Sequence, residues 1–152
     1  MSIKPFTTAI VGLSILALAA SGKAQERDAR QLVKMPPMVQ THMLSIMRSH
    51  LKSLNAILDT LSRGDVDAAA DVAERQLGLS SMSLHGGSHL AQFMPEGMKA
   101  IGLQLHKAAS RFVIVAKNAE LAPDRQALHE TYAALKEITD ACIACHDAYR
   151  LR

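Results

Sequence analysis

Apolar residues in this chain recur at alternating intervals of three and four, the spacing of helices that bury one face against other helices. One series runs Leu44, Met47, Leu51, Leu54, Leu58 and Leu61, and a shorter one Val66, Ala69, Ala73 and Leu77. A third runs Met98, Ile101, Leu105, Ala108, Phe112, Val115 and Ala119, and a fourth Leu128, Thr131, Leu135, Ile138, Cys142, Cys145 and Tyr149. Each reads as the buried seam of one helix. The boundaries agree with that reading: Pro36-Pro37 can open the first helix, because proline suits position N1, and Arg63-Gly64 can end it. Asp65 can cap the second, whose positive N-terminal end also suits Asp67. Pro123-Asp124 breaks the third helix and starts the fourth, while the Gly-, Ser- and His-rich stretch from Gly78 to Gly97 is aperiodic and reads as a long connection. The expected class is all-α. Four amphipathic helices bury their stripes most simply as an antiparallel four-helix bundle.

Composition removes several other classes. Five aromatic residues, Phe6, Phe93, Phe112, Tyr132 and Tyr149, are too few for a strand-rich sandwich or for the stacking platforms of single-strand binders. A chain that is 20% charged with near-neutral mean hydropathy is not disordered. The first 24 residues stand apart from the rest. Lys4 supplies a positive start, Phe6 to Ala20 is apolar, and Gly22-Lys23-Ala24 resembles a cleavage site, so residues 1–24 read as a secretory signal peptide. An uncleaved anchor is the alternative, but the apolar run falls short of the ~20 residues that cross a bilayer. Cleavage after Ala24 leaves one domain, residues 25–152, with 15 basic and 14 acidic side chains. The basic character therefore belongs largely to the leader. No nucleic-acid footprint and no second membrane span remain, and the expected location is periplasmic.

Most of the chemistry lies in Cys142-Ile-Ala-Cys145-His146-Asp-Ala-Tyr149-Arg150. C-x-x-C-H is the attachment signature of a c-type haem. At 100° per residue, Cys145 and His146 lie about 60° and 40° from Cys142 around a helix, so all three project from one face. Two thiols can then meet the two porphyrin vinyl groups while the adjacent imidazole reaches the iron. Both cysteines also occupy the fourth seam, which would put the porphyrin in the core. Three other readings compete: a redox-active dithiol, a zinc site lacking its fourth ligand, and a disulfide strained by three-residue spacing on a helix.

C-x-x-C-H-x-x-Tyr-Arg near the C-terminus resembles the class II c-type cytochromes, that is, cytochrome c prime and its low-spin relatives. Ile46-Met47-Arg48-Ser49-His50-Leu51 is similar to the family segment that passes the distal haem face. The resemblance implies one covalently attached haem (heme c) in a four-helix bundle. It assigns Cys142 and Cys145 to the thioethers, His146 to the proximal iron position, Met47 to the distal iron position, and Arg150 to a place beside the proximal imidazole. Family members often carry an arginine one turn before the distal residue; this chain has Met43 there with His42 beside it, leaving Lys34 and Arg48 as candidates for the propionates. The implied role is not an enzyme's. It is one-electron transport between transient redox partner proteins, with pairing into a homodimer through the first helices left open.

Met47 separates two functional classes. If its thioether binds iron, the site is six-coordinate with a raised potential, as suits an electron carrier. If it merely packs, as a Met in a Leu seam commonly does, the iron is five-coordinate and open to nitric oxide or carbon monoxide. Two further features read as solvated surface: His85-Gly-Gly-Ser-His89, which lacks neighbouring acidic or Cys ligands, and the acidic face of Asp65, Asp67, Asp71 and Glu74. That acidic face is also suited to docking a basic partner. His42, His50, His106 and His129 read as surface or boundary residues.

Overall fold

A computed structural model describes residues 28–84 and 86–152; the leader segment and His85 lie outside them. Five helices account for most of that chain: α1 Pro37–Ser62, α2 Val66–Leu77, α3 Gly87–Ala91, α4 Glu96–Leu121 and α5 Arg125–Ala148. A 3-10 helix, Leu79–Ser83, and two short strands, β1 Gln31–Leu32 and β2 Tyr149–Arg150, complete it. The class is all-α. The boundaries follow from local chemistry. Pro37 occupies the first turn of α1, and Gly64 takes the left-handed conformation (φ +77°) that releases the chain towards α2. Asp65 accepts a hydrogen bond from Ala68 N (3.0 Å) and Asp124 one from Ala127 N (2.7 Å), each capping a helix start.

Side-chain pairs fix how the long helices run. Glu74 meets Ser110 and Asp67 approaches Lys117, so α2 and α4 are antiparallel; Arg111 meets Glu137, and Gly97 lies against Tyr149, so α4 and α5 are antiparallel too. Ser53 hydrogen-bonds Gln76 across α1 and α2. Between these helices lies a core of Ile57, Ala69, Ala70, Ala73, Leu77, Leu105, Ala109, Phe112, Leu135 and Ile138. A second apolar cluster, Val33, Met43, Ile46, Leu90 and Met98, sits where the two ends of the described chain meet.

The seam of α1 is not the leucine series. Met43, Ile46, Ser53, Ile57 and Thr60 are the buried residues, whereas Leu51 is 69% and Leu58 47% exposed. The face is turned by one residue, about 100°. The partner surface agrees with that turn: α2 buries Ala69, Ala70 and Ala73 in the same core as Ile57, and Ser53 reaches Gln76 across to α2. Burying Ser53 and Thr60 is tolerable because Ser53 bonds Gln76 Oε1 (2.6 Å) and Thr60 donates to Ile57 O (2.8 Å). Leu44, Met47, Leu54 and Leu61 become flanks rather than centre.

Two more corrections concern the connections and the last seam. The described residues between Gly78 and Gly97 include regular structure, with Ser81 fully buried in the 3-10 helix and Leu90 buried in α3. Leu128 is exposed, and Tyr149 lies past the end of α5, where β2 pairs in parallel with β1. The third seam holds in part: Met98, Leu105, Ala108 and Phe112 are buried, joined by Ala109 and Ala116, while Ile101, Val115 and Ala119 are half-buried.

Candidate functional site

The last two turns of α5 carry Cys142 and Cys145, both half-buried and both free thiols. They face different neighbours. Cys142 packs against the Ile57–Phe112 core, and Cys145 against the second cluster, so the motif spans the boundary between the two apolar regions. His146 and Asp147, which follow Cys145 directly in the same last turn, are exposed. Burial raises both thiols above their ordinary pKa, and the neighbouring Cys142 raises Cys145 further. They lie at a helix C-terminus, whose negative end also disfavours thiolate. A redox-active dithiol needs the opposite, a lowered pKa at a helix N-terminus or beside a cation, so this geometry runs against that reading.

The second cluster is lined with thioethers. Met43 and Met98 are buried in it, and Met35, Met47 and Met94 pack around it together with Val39, Cys145, Tyr149 and Leu151. Met47 and Cys145, from helices distant in sequence, therefore share one apolar environment. Such a lining is soft and adaptable, because Met is unbranched and polarisable. Along α1, His50 falls between Ile46 of this cluster and Ile57 of the core. Its ring meets that of His106 edge-on, with centroids 6.2 Å apart. His106 is oriented in turn: its Nδ1 lies 2.8 Å from Leu77 O, and since a carbonyl only accepts, that nitrogen carries the proton.

The approach to the motif is braced by a segment that sequence periodicity does not reveal. Val33 N donates to Arg150 O (2.8 Å), Gln40 Nε2 to Leu151 O (2.5 Å) and Arg30 Nη1 to His146 O (3.4 Å). Asp28 joins Arg30 (2.7 Å) and Arg150 (3.5 Å) in one ion-pair group. Arg150 is thus half-buried against Asp28. A Cβ on Gly97 would meet the Tyr149 hydroxyl, so a larger residue there would push the Tyr149 side chain aside. The signals were present as Asp28, Arg30 and Gly97, but pairing across more than a hundred residues has no local signature. Lys34 and Arg48, the propionate candidates, are exposed.

The remaining sequence candidates separate. The acidic face of α2 is not uniformly solvated: Glu74 accepts from Ser110 Oγ (2.7 Å) and Ser80 N (3.2 Å). Burial pushes its carboxyl up, but these hydrogen bonds outweigh burial and hold it below its ordinary value. Asp71 pairs with Arg75, and Asp67 lies 4.0 Å from Lys117. Among the described residues no three of His, Cys, Asp or Glu are grouped to hold a bare metal ion, and no helix is long and apolar enough to cross a membrane. Comparison with family models, curated proteins and solved structures found no match.

Proposed function

We propose that this chain is a periplasmic, monohaem c-type cytochrome of the class II kind, carrying single electrons between redox partner proteins. In this reading α1, α2, α4 and α5 form the four-helix bundle, and one haem c joins it through Cys142 and Cys145. The observation that carries the proposal is the position of C-x-x-C-H on α5: both thiols half-buried, on the boundary between a rigid core and a Met-lined cluster that Met47 also borders. The residues fit such a group chemically. Neutral thiols suit thioether linkage, adaptable methionines suit a large planar neighbour, and an exposed His146 is free to turn towards an iron.

When bound, the haem supplies a one-electron iron couple. The chain's own residues do the rest. His146 would ligate on the proximal side and Met47 on the distal side, the soft thioether favouring the reduced metal and so raising the potential. The apolar cluster of Met43, Ile46, Leu90 and Met98 would exclude water, which also sets the potential. Arg30, through His146 O, and the Asp28–Arg150 pair would hold the ligand-bearing turn in place. Exposed Leu51 and Leu58 on α1 support pairing of two copies through their first helices.

Haem-stained denaturing electrophoresis tests attachment: wild type stains, and Cys142→Ala/Cys145→Ala does not. Unaltered covalent stain in the double variant overturns the proposal. Absorption spectra test the distal assignment. Met47→Ala should turn a low-spin spectrum high-spin, lower the potential and admit carbon monoxide. Conversion by Met43→Ala instead would shift the ligand by one turn of α1. A wild type already high-spin and open to carbon monoxide would replace electron carriage with gas binding.

A further inference from the structure

The proposed function makes no use of a concavity of about 220 Å³ between the first turns of α1 and the start of α3, lined by Met38, Val39, His42, Gly86, His89 and Leu90. Met38 and His42 stand one turn apart on the same face of α1. Gly86, in the left-handed region (φ +61°), turns the chain back over them, and the position of a Cβ there is 4.0 Å from His42 Nε2. His89 follows one turn later on α3. Two imidazoles and a thioether, from segments more than forty residues apart, thus rim one pocket. Its floor is apolar, since Leu90 is buried in the second cluster and Val39 packs against it.

We propose that this pocket binds one copper(I) ion through His42, His89 and Met38. All three donors are neutral and none of the lining residues is acidic, so a divalent ion would keep both charges uncompensated while a monovalent ion keeps one. A thioether is a soft ligand that calcium and magnesium reject, and imidazole completes a set that copper(I) accepts. Met38 is 85% exposed, outside the cluster that Met35, Met43, Met47, Met94 and Met98 line, and its thioether is open to a ligand from the pocket. Coordination by His89 Nε2 puts the ring proton on Nδ1. The Gln92 amide nitrogen, 3.3 Å from Nδ1 and bonded to His89 O at 2.9 Å, then gives up only its longer contact.

The test is anaerobic titration of the exported protein with copper(I) against the chromogenic chelator bicinchoninate. Its thiols are held in thioether linkage or alkylated beforehand, so Cys142 and Cys145 do not contribute. Wild type should withhold one equivalent. His42→Ala and His89→Ala should each weaken binding by at least about tenfold, and Met38→Leu should weaken it several-fold and remove the sulfur shell from X-ray absorption. Circular dichroism should not change, because all three side chains are exposed. A wild type that withholds no copper, or a His42→Ala/His89→Ala double variant that withholds it fully, overturns the site. Equal retention of zinc with Met38→Leu silent overturns the copper(I) assignment.

Discussion

The two apolar regions that meet at the cysteines of α5 are made of different materials. Around Phe112 the core is Ala, Ile, Leu and one aromatic ring, with Ile57, Ala69, Ala70, Ala73, Ala109 and Phe112 at 0% exposure. Around Met43 it is thioether and aliphatic, with most of its members only half-buried. Small rigid residues fit backbones together at short range and leave little freedom, whereas unbranched methionines fill irregular space and can re-pack. One region fixes the helices; the other is suited to reorganise around something large. Cys142 and Cys145 stand on the line between them.

Single truncations should separate the two regions most strongly. Phe112→Ala removes a fully buried ring from the rigid core and should cost about 3–5 kcal/mol in urea unfolding. Met98→Ala, in the thioether cluster, should sit near the low end of its class, about 2 kcal/mol, because neighbouring methionines can collapse into the space. Equal costs would mean that both regions are packed alike. The same contrast applies to protein in which the proposed haem is not attached, where amides of α2 should keep their exchange protection while those of α3 lose it. Uniform protection would break the comparison.

The next effect lies within α1 and pits two adjacent stripes against each other. Ile57→Ala should cost about 2–4 kcal/mol, while Leu51→Ala should change stability by no more than about 0.5 kcal/mol. A hydrophobicity-weighted reading of the sequence predicts the reverse order of importance, since the leucines form the more regular series. That error has a physical source. Ser53 and Thr60 look wrong for a core until their hydroxyls are seen to be satisfied, by Gln76 of α2 and by the α1 carbonyls, and only tertiary packing reveals those partners.

Elsewhere the sequence was legible in proportion to how local the cause is. Asp65, Gly64, Pro37 and Asp124 act within one turn of themselves, and the helix boundaries they mark agree with the structure. The spacing of Cys142, Cys145 and His146 is also local and could be read directly. The shared environment of Met47 and Cys145, the His50–His106 contact and the strap of Asp28 to Val33 join segments far apart in the chain. Nothing in the spacing of either segment encodes them. The 3-10 helix between α2 and α3 escaped for another reason: Ser81 is buried through hydrogen bonds to Gly78 O (2.7 Å) and towards His106, and a buried serine does not register as core in an apolar pattern.

The smallest expected effect belongs to the outer end of the strap, where Asp28 and Arg30 are held by charge, while Val33 at its inner end is buried in the thioether region. The side chain of Arg30 hydrogen-bonds the Asp28 carboxylate, the Arg30 backbone N–H donates to it as well, and the positive charge of Arg150 adds to both. Together they lower the Asp28 pKa from 3.8 to about 2. A carboxylate whose folded pKa is depressed contributes stability above its unfolded value and loses it as pH falls through the folded one. The strap should therefore hold down to about pH 4 and release as the pH approaches 2. Because these groups face solvent, the global melting temperature should barely register the change. The readout is local: the amide resonance of Val33, bonded to Arg150 O, should titrate with the Asp28 midpoint, and Asp28→Asn should abolish that titration. A midpoint at the ordinary value of 3.8 would show that Arg30 does not hold the carboxylate. A global melting temperature falling in step with the Val33 signal would show that the thioether region depends on the strap for its stability.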